Sequence, residues 1–266
     1  MQIKFLQKKP YYIFVIENFL NDNEYNLIDN NFPNVETELS PTFEYKNRRR
    51  LANYDKNYKD LKDDGNLSIK VIEEKFNDKF FIDLIKKLKK EIFISRLKNL
   101  TNLSNLKNLY AIFRKIKIVD SSQNKTLFQK IFQSNYQKAF DISYMYNNSY
   151  ITPHTDKTSK LLSLMLYFPT KNLENIDIGT TFYHSKLKNF SNKEYYFNFD
   201  NDKNNFLAEN EDDDFFNKNF KETITFPFKK KDLYCFIKSD TSWHSVKKLN
   251  IPDNEVRKSI NINLKT

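Results

Sequence analysis

Three side chains in this chain could hold one metal ion. They are His154 and Asp156, in His154-Thr155-Asp156, and His244 much further along. The sequence has only 3 histidines, so two of them fall within this single pattern. Two imidazoles and a carboxylate grip a divalent cation by one face and leave the opposite positions open for oxygen and a co-substrate; Fe(II), Mn(II) and Zn(II) all accept such a set. On a strand, residues i and i+2 point to the same side, about 6–7 Å apart. His154 and Asp156 can therefore reach one ion from a strand, or from just beyond the end that Pro153 and Thr158-Ser159 mark. His244 lies in Ser242-Trp243-His244-Ser245-Val246, a second strand-like run, so the fold must bring the two runs together.

A further group follows the second histidine. In the last segment Arg257, Ser259 and Asn261 alternate with Lys258, Ile260 and Ile262. One face of that strand is polar, headed by an arginine, and the other is mostly apolar. An inward polar face is costly unless something polar fills the space beside it. A guanidinium grips a carboxylate with two parallel hydrogen bonds, and Ser259 can add a third. The plainer alternative is an edge strand with its polar face in water.

The elements that must position these residues show a change of texture near Lys138. Beyond it, short apolar or alternating runs are separated by turn signals: Phe140–Tyr146, Tyr150–Thr152, Leu161–Phe168, Thr180–His184, Glu222–Phe228, Leu233–Ile237, Trp243–Lys248 and Arg257–Leu264. So many short strands predict a β-sandwich or jelly roll. The polar insertion from Ser185 to Lys221 carries the acidic run Glu209-Asn210-Glu211-Asp212-Asp213-Asp214; it lacks the glycine and spacing of a calcium loop and reads as a solvated excursion. Before Lys138, Tyr11–Ile16 predicts a strand and Asn21-Asp22-Asn23-Glu24 a helix start, running to Pro33. From 68 to 100, Ile69, Ile72, Phe76 and Phe80 share a helical face, as do Phe81, Leu84, Ile85, Leu88 and Ile92. The Lys86–Lys90 stretch forms the basic outer side of that helix, which is expected to pack on a sheet.

Bulk properties narrow the class. A chain of 266 residues can bury a substantial core. With 2 glycines and 7 prolines it is neither collagen-like nor a flexible linker, and 1 cysteine excludes a disulfide framework. The longest apolar runs, Tyr11–Ile16 and Leu161–Phe168, are strand-sized and too short to span a bilayer. The N-terminus lacks the apolar region of a signal peptide, so a cytoplasmic protein without a membrane partner is expected. The net charge of +10 invites a nucleic-acid reading, but it rests on lysines mixed with acids along the whole chain, whereas phosphate and base recognition leans on arginine. The one arginine cluster, Arg48-Arg49-Arg50, is read as a solvated loop.

The C-terminal half resembles the Fe(II)/2-oxoglutarate-dependent dioxygenases, in particular their prolyl-hydroxylase-like branch. The resemblance runs through Tyr144–Asp156, Leu161–Pro169, Gly179–Tyr183, Ser242–Val246 and Arg257–Ile260, and covers about residues 139–266. Tyr11–Leu20 is similar to the start of such proteins. The resemblance implies an α+β, mainly β fold: a double-stranded β-helix (jelly-roll) core at 139–266 with strand and helical support at 1–138, in one integrated domain. It implies iron held by His154, Asp156 and His244. It implies 2-oxoglutarate anchored by Arg257 and Ser259, with Tyr144 or Tyr146 as the tyrosine that contacts it. Dioxygen is the other co-substrate, and ascorbate is an optional addition. The reaction implied is hydroxylation of a C–H bond in a peptidyl or small-molecule substrate, with release of succinate and CO2. Two departures stand out: Ile178 replaces the first glycine of a pair, and Asn148 or Ser149 stands where a glycine is usual; asparagine tolerates positive φ, so the turn can survive.

The remaining residues read more blandly. His184 is expected at a strand end in solvent, Trp243 in the core, Cys235 buried and inert, and Lys157 and Lys160 on a solvated rim. The competing readings are a nucleic-acid dealkylase of the same superfamily, and a jelly-roll metal-binding or interaction protein without turnover. The sequence does not give the substrate or the oligomeric state.

Overall fold

The computed structural model describes residues 3–32, 40–41, 48–50, 67–68, 117–118, 135–156, 160–186, 196–197, 206–207, 214–238 and 241–265. The helical run expected at 69–100, the acidic residues 209–213 and Lys157 lie outside the described residues. The first strands are β1 (Ile3–Gln7), β2 (Ile13–Ile16), β3 (Ser40–Pro41), β4 (Arg48–Arg50), β5 (Leu67–Ser68) and β6 (Lys117–Ile118). Then come β7 (Asn135–Met145), β8 (Ile151–His154), β9 (Lys160–Phe168), β10 (Thr181–Ser185), β11 (Tyr196–Phe197) and β12 (Phe206–Leu207). The series ends with β13 (Phe220–Thr225), β14 (Leu233–Ile237), β15 (Trp243–Val246) and β16 (Arg257–Lys265). The helices are α1 (Asp22–Asn30) and α2 (Asp214–Asn219).

Among the described residues the chain is mainly β, with strands paired almost wholly antiparallel in two sheets. The larger runs β1-β2-β14-β9-β16-β7-β4-β3, with β5 and β6 added against β7; the smaller runs β11-β12-β8-β15-β10-β13. The Arg48–Arg50 segment is thus strand β4 against β7, not a loop. Main-chain pairing holds it there, and pairing leaves no side-chain signature for a sequence reading to find.

Period-two alternation divides the larger sheet into two different faces. On β9, Leu162, Leu164, Leu166 and Phe168 face one way, while Ser163, Met165 and Tyr167 face the other. The first face joins Leu233, Cys235, Ile237, Ile142, Ile260 and Ile262 in one buried cluster, which Phe19, Leu20, Tyr25 and Ile28 of the α1 region cover. Each such aliphatic or aromatic side chain, fully buried, stabilises by about 1.5–3 kcal/mol. Helix α1 begins at a capping box: the Asn21 side chain accepts from the Glu24 backbone N–H, and the Glu24 carboxylate accepts from the Asn21 N–H. Lys258, on the helix side of β16, donates to Asp29 and ties α1 to the sheet.

The second face of the larger sheet meets the smaller sheet across another apolar cluster. Val15, Met165, Tyr167, Tyr234 and Phe236 there pack with Phe182, Phe226 and Val246. The rings of Phe182 and Phe236 meet edge-on with centroids 5.1 Å apart. The 185–221 insertion is more than a solvated excursion. Its Phe206 pairs with His154 as β12 beside β8, and Phe216 and Phe220 pack with Tyr183 and Trp243 in a third buried cluster. Aromatic residues spaced through a polar stretch are enough to bury part of it. The turn into β8 survives without glycine: Asn148 has φ 64°. No helix among the described residues is long and apolar enough to cross a membrane.

Candidate metal centre

The turn at 147–150 launches β8 against β15, and the antiparallel register sets His154 directly opposite His244. Their ring centroids are 4.3 Å apart. Each ring is fixed by the backbone two residues earlier. His154 Nδ1 lies 2.8 Å from the Thr152 carbonyl oxygen, and His244 Nδ1 lies 2.9 Å from that of Ser242. With Nδ1–H donating to a carbonyl, a neutral imidazole carries its lone pair on Nε2, the form a cation needs. Asp156 follows just beyond the strand end and is 5% exposed. Its Oδ2 lies 3.8 Å from His244 Nε2 and accepts from the Ser163 hydroxyl at 3.1 Å.

One ligand atom from each of His154, Asp156 and His244 lies within 4.8 Å of the others. Donors bound to one ion at about 2.0–2.2 Å sit within about 4.4 Å of each other, so a small inward shift completes the set. The donor chemistry fits a divalent transition metal, since two neutral imidazoles and a single carboxylate leave coordination positions for other molecules. Apolar rings back the centre, with Phe236 4.7 Å and Phe182 5.9 Å from the His244 ring. In such surroundings charge interactions are screened less than in water.

Strand β16 supplies the second part of the site. It lies between β9 and β7, so its polar face is interior and is not an edge turned to water. Arg257 is 3% exposed. Its Nε donates to the Ile178 carbonyl at 2.7 Å, and its Nη1 reaches Ser259 Oγ at 3.3 Å and Met145 Sδ at 3.4 Å. The guanidinium carbon lies 5.1 Å from the Tyr167 ring centre and 5.7 Å from that of Phe228. Ser259 Oγ meets Ser143 Oγ at 3.1 Å, and Asn263 meets Ser163 at 3.0 Å. A buried polar strip thus runs along β16 from Arg257 toward Asp156. Ile178 contributes its main-chain carbonyl. Gly179 beside it has no room for a side chain unless the backbone shifts, because a Cβ there would lie 2.3 Å from the Phe226 carbonyl oxygen.

The tyrosines need a correction. Tyr144 pairs with Lys258, not Arg257, and its ring packs edge-on to Phe32 on the α1 side of the sheet. Tyr146 packs against that same cluster. Both therefore lie on the face away from Arg257, because the residue that shares the arginine's face on β7 is Met145. The tyrosine at the guanidinium is Tyr167, whose hydroxyl accepts from the Thr180 backbone N–H at 3.0 Å. Strand alternation on β9 groups Tyr167 with Ser163, and that was the available signal. Of the others, His184 is exposed, Trp243 is fully buried, and the Cys235 thiol is buried with its pKa pushed well up by desolvation.

No family model matches the chain, and neither does any curated protein. Among solved structures it is similar to a prolyl-4-hydroxylase of Pseudomonas putida, at 11% identity over 96% of this chain and 93% of that one, with a TM-score of 0.44. It is also similar to HygX from Streptomyces hygroscopicus, a structure with nickel, 2-oxoglutarate and hygromycin B bound, at 9% identity over 94% of this chain and 82% of that one, TM-score 0.39. A 2OG-Fe(II) oxygenase family oxidoreductase from Burkholderia pseudomallei matches at 14% identity over 52% of this chain and 50% of that one, TM-score 0.27, so the chain spans half of that protein's length.

Proposed function

We propose that this chain is a non-haem Fe(II)- and 2-oxoglutarate-dependent oxygenase that hydroxylates a C–H bond of a peptidyl or small-molecule substrate. Its two sheets are read as a double-stranded β-helix, with 139–266 as the catalytic core and 1–138 as support, and its site of action as the cytoplasm. The observation that carries the reading is the gathering of His154, Asp156 and His244 on the same interior as the buried Arg257. The triad alone suits several metals. The added guanidinium, with Ser259 beside it, favours a site that also takes a dicarboxylate.

His154 and His244 present Nε2 because the Thr152 and Ser242 carbonyls hold their Nδ1 protons. Asp156 completes the donor set. Arg257 and Ser259 would hold the distal carboxylate of 2-oxoglutarate, and the Tyr167 and Phe228 rings flank the guanidinium and shield it from water. When bound, iron supplies the oxidation, in which dioxygen converts 2-oxoglutarate to succinate and CO2 and one oxygen atom enters the substrate C–H bond. The chain's own task is to orient these partners and exclude water, which the Phe182 and Phe236 rings beside His244 serve.

Anaerobic titration of the protein with Fe(II) and then 2-oxoglutarate tests the reading. A visible charge-transfer band is expected from the native chain and not from His154→Ala. Absence of the band in the native chain leaves a metal-binding protein without turnover. Succinate release across panels of peptides, amino acids, sugars and metabolites, with Arg257→Ala as control, then identifies the substrate.

A further inference from the structure

Asp156 accepts a hydrogen bond from a residue of another strand. It stands beyond the last paired residue of β8, so no ladder fixes its backbone there. Its carboxylate is buried, where a wrong rotamer would not be corrected by water. Ser163, which touches it, sits on β9, a strand paired on both sides by β14 and β16. Asn263 is the residue directly across from Ser163 on β16. Ser163 Oγ lies 3.1 Å from Asp156 Oδ2 and 3.0 Å from Asn263 Oδ1. A serine hydroxyl has one hydrogen and two lone pairs, and an ionised carboxylate can only accept. The hydrogen therefore goes to Asp156, and the Asn263 amide must turn its nitrogen to Ser163 and donate to it. Direction then runs one way: Asn263 donates to Ser163, which donates to Asp156. Ser163 and Asn263 are 5% and 3% exposed, so little water competes for either bond.

We propose that Asn263 and Ser163 form a hydrogen-bond relay that positions the Asp156 carboxylate, so that the centre's metal affinity depends on two residues outside its donor set. This rests on the metal-centre reading above, and it extends that reading to two residues that hold no metal themselves, Asn263 at the far end of the arginine strand and Ser163 across from it on β9. Both are positioning residues. Partners that orient a metal-binding carboxylate typically change affinity by about 10- to 100-fold.

The test uses the full chain with Co(II) as probe. Its affinity is read by competition with a chromogenic chelator, and its visible d–d bands report ligand geometry. Ser163→Ala is expected to weaken Co(II) binding by about 10- to 100-fold and to alter the bands. Ser163→Thr, which keeps the hydroxyl, is expected to restore both. Asn263→Ala shifts affinity the same way by less, and the double variant behaves as Ser163→Ala, because the relay passes through Ser163. A folded Ser163→Ala with native Co(II) affinity and bands overturns the proposal, even if its melting temperature drops; so do additive effects of the two alanines. Where circular dichroism shows Ser163→Ala unfolded, Asn263→Ala decides, and native affinity there overturns the relay. A native chain that binds no Co(II) overturns both readings. A native chain with relay-dependent Co(II) binding but no 2-oxoglutarate band on Fe(II) keeps the relay and removes the oxygenase.

Discussion

His154 and His244 are register partners on neighbouring antiparallel strands, and the backbone carbonyl two residues before each holds its Nδ1. The same short-range device thus sets both rings, and with Nδ1–H donating to the carbonyl each neutral histidine turns its Nε2 lone pair outward.

Removing one imidazole should therefore remove the metal and leave the fold. His244→Ala is expected to lose Co(II) binding while keeping native far-UV circular dichroism, since Trp243 and Val246 on the same strand stay buried. Metal supplied by dialysis should raise the native chain's melting temperature and leave that of His244→Ala unchanged.

The two faces of the larger sheet should separate two tyrosines by effect. Tyr144→Phe is expected to leave 2-oxoglutarate affinity unchanged, because Tyr144 lies on the α1 side against Phe32. Tyr167→Leu removes the ring under the Arg257 guanidinium and is expected to weaken that affinity by roughly two- to thirtyfold. Calorimetric titration of the metal-loaded protein distinguishes them, and the reverse order would place the co-substrate on the wrong face.

Alkaline solution should unfold the protein early. Burial raises the pKa of the Tyr11, Tyr25 and Tyr234 phenols, and nearby Asp29 and Glu174 add to the rise at Tyr25. Burial likewise raises the Cys235 thiol. Above the ordinary values of 9.0 for the thiol and 10.0 for the phenols, the unfolded chain loses these protons while the folded chain keeps them. Stability is therefore full below about pH 9 and falls as pH climbs toward the folded values. Thermal midpoints should drop between pH 9 and 11. Tyrosinate absorbance should include a fraction that appears only with unfolding, and Tyr234→Phe should shallow the drop.

Gly179→Ala should be severe for one methyl group. The added Cβ would meet the Phe226 carbonyl oxygen at 2.3 Å, and backbone must move to admit it. A loss of about 1–3 kcal/mol is expected from urea unfolding. Because the shift would carry the Ile178 carbonyl with it, weaker 2-oxoglutarate binding should accompany the loss.

Much of the site is legible in the sequence because period two is a strong rule. The alternation of Arg257, Ser259 and Asn261 assigns side chains to one face without any coordinates, and the His154-x-Asp156 spacing puts both groups within reach of one ion although Asp156 lies just past the strand end. Which face is interior is another matter. Tyr144 and Tyr167 both sit on good strands, and only the docking of Phe32 and α1 on one side of the sheet decides between them. Phe206 beside His154 was illegible for a related reason. Main-chain pairing attaches it, and the surrounding polar composition hides two residues of strand. Asn263 and Ser163 carry no motif, and their meeting depends on the register of β9 with β16.

The Ile178 carbonyl that receives the Arg257 Nε–H belongs to the main chain. No substitution at 178 short of one that moves the backbone can delete that bond. The side chain there packs against the apolar cluster, but changing it leaves the bond in place, so the surroundings of the guanidinium can be reshaped by selection or design while the arginine keeps its aim.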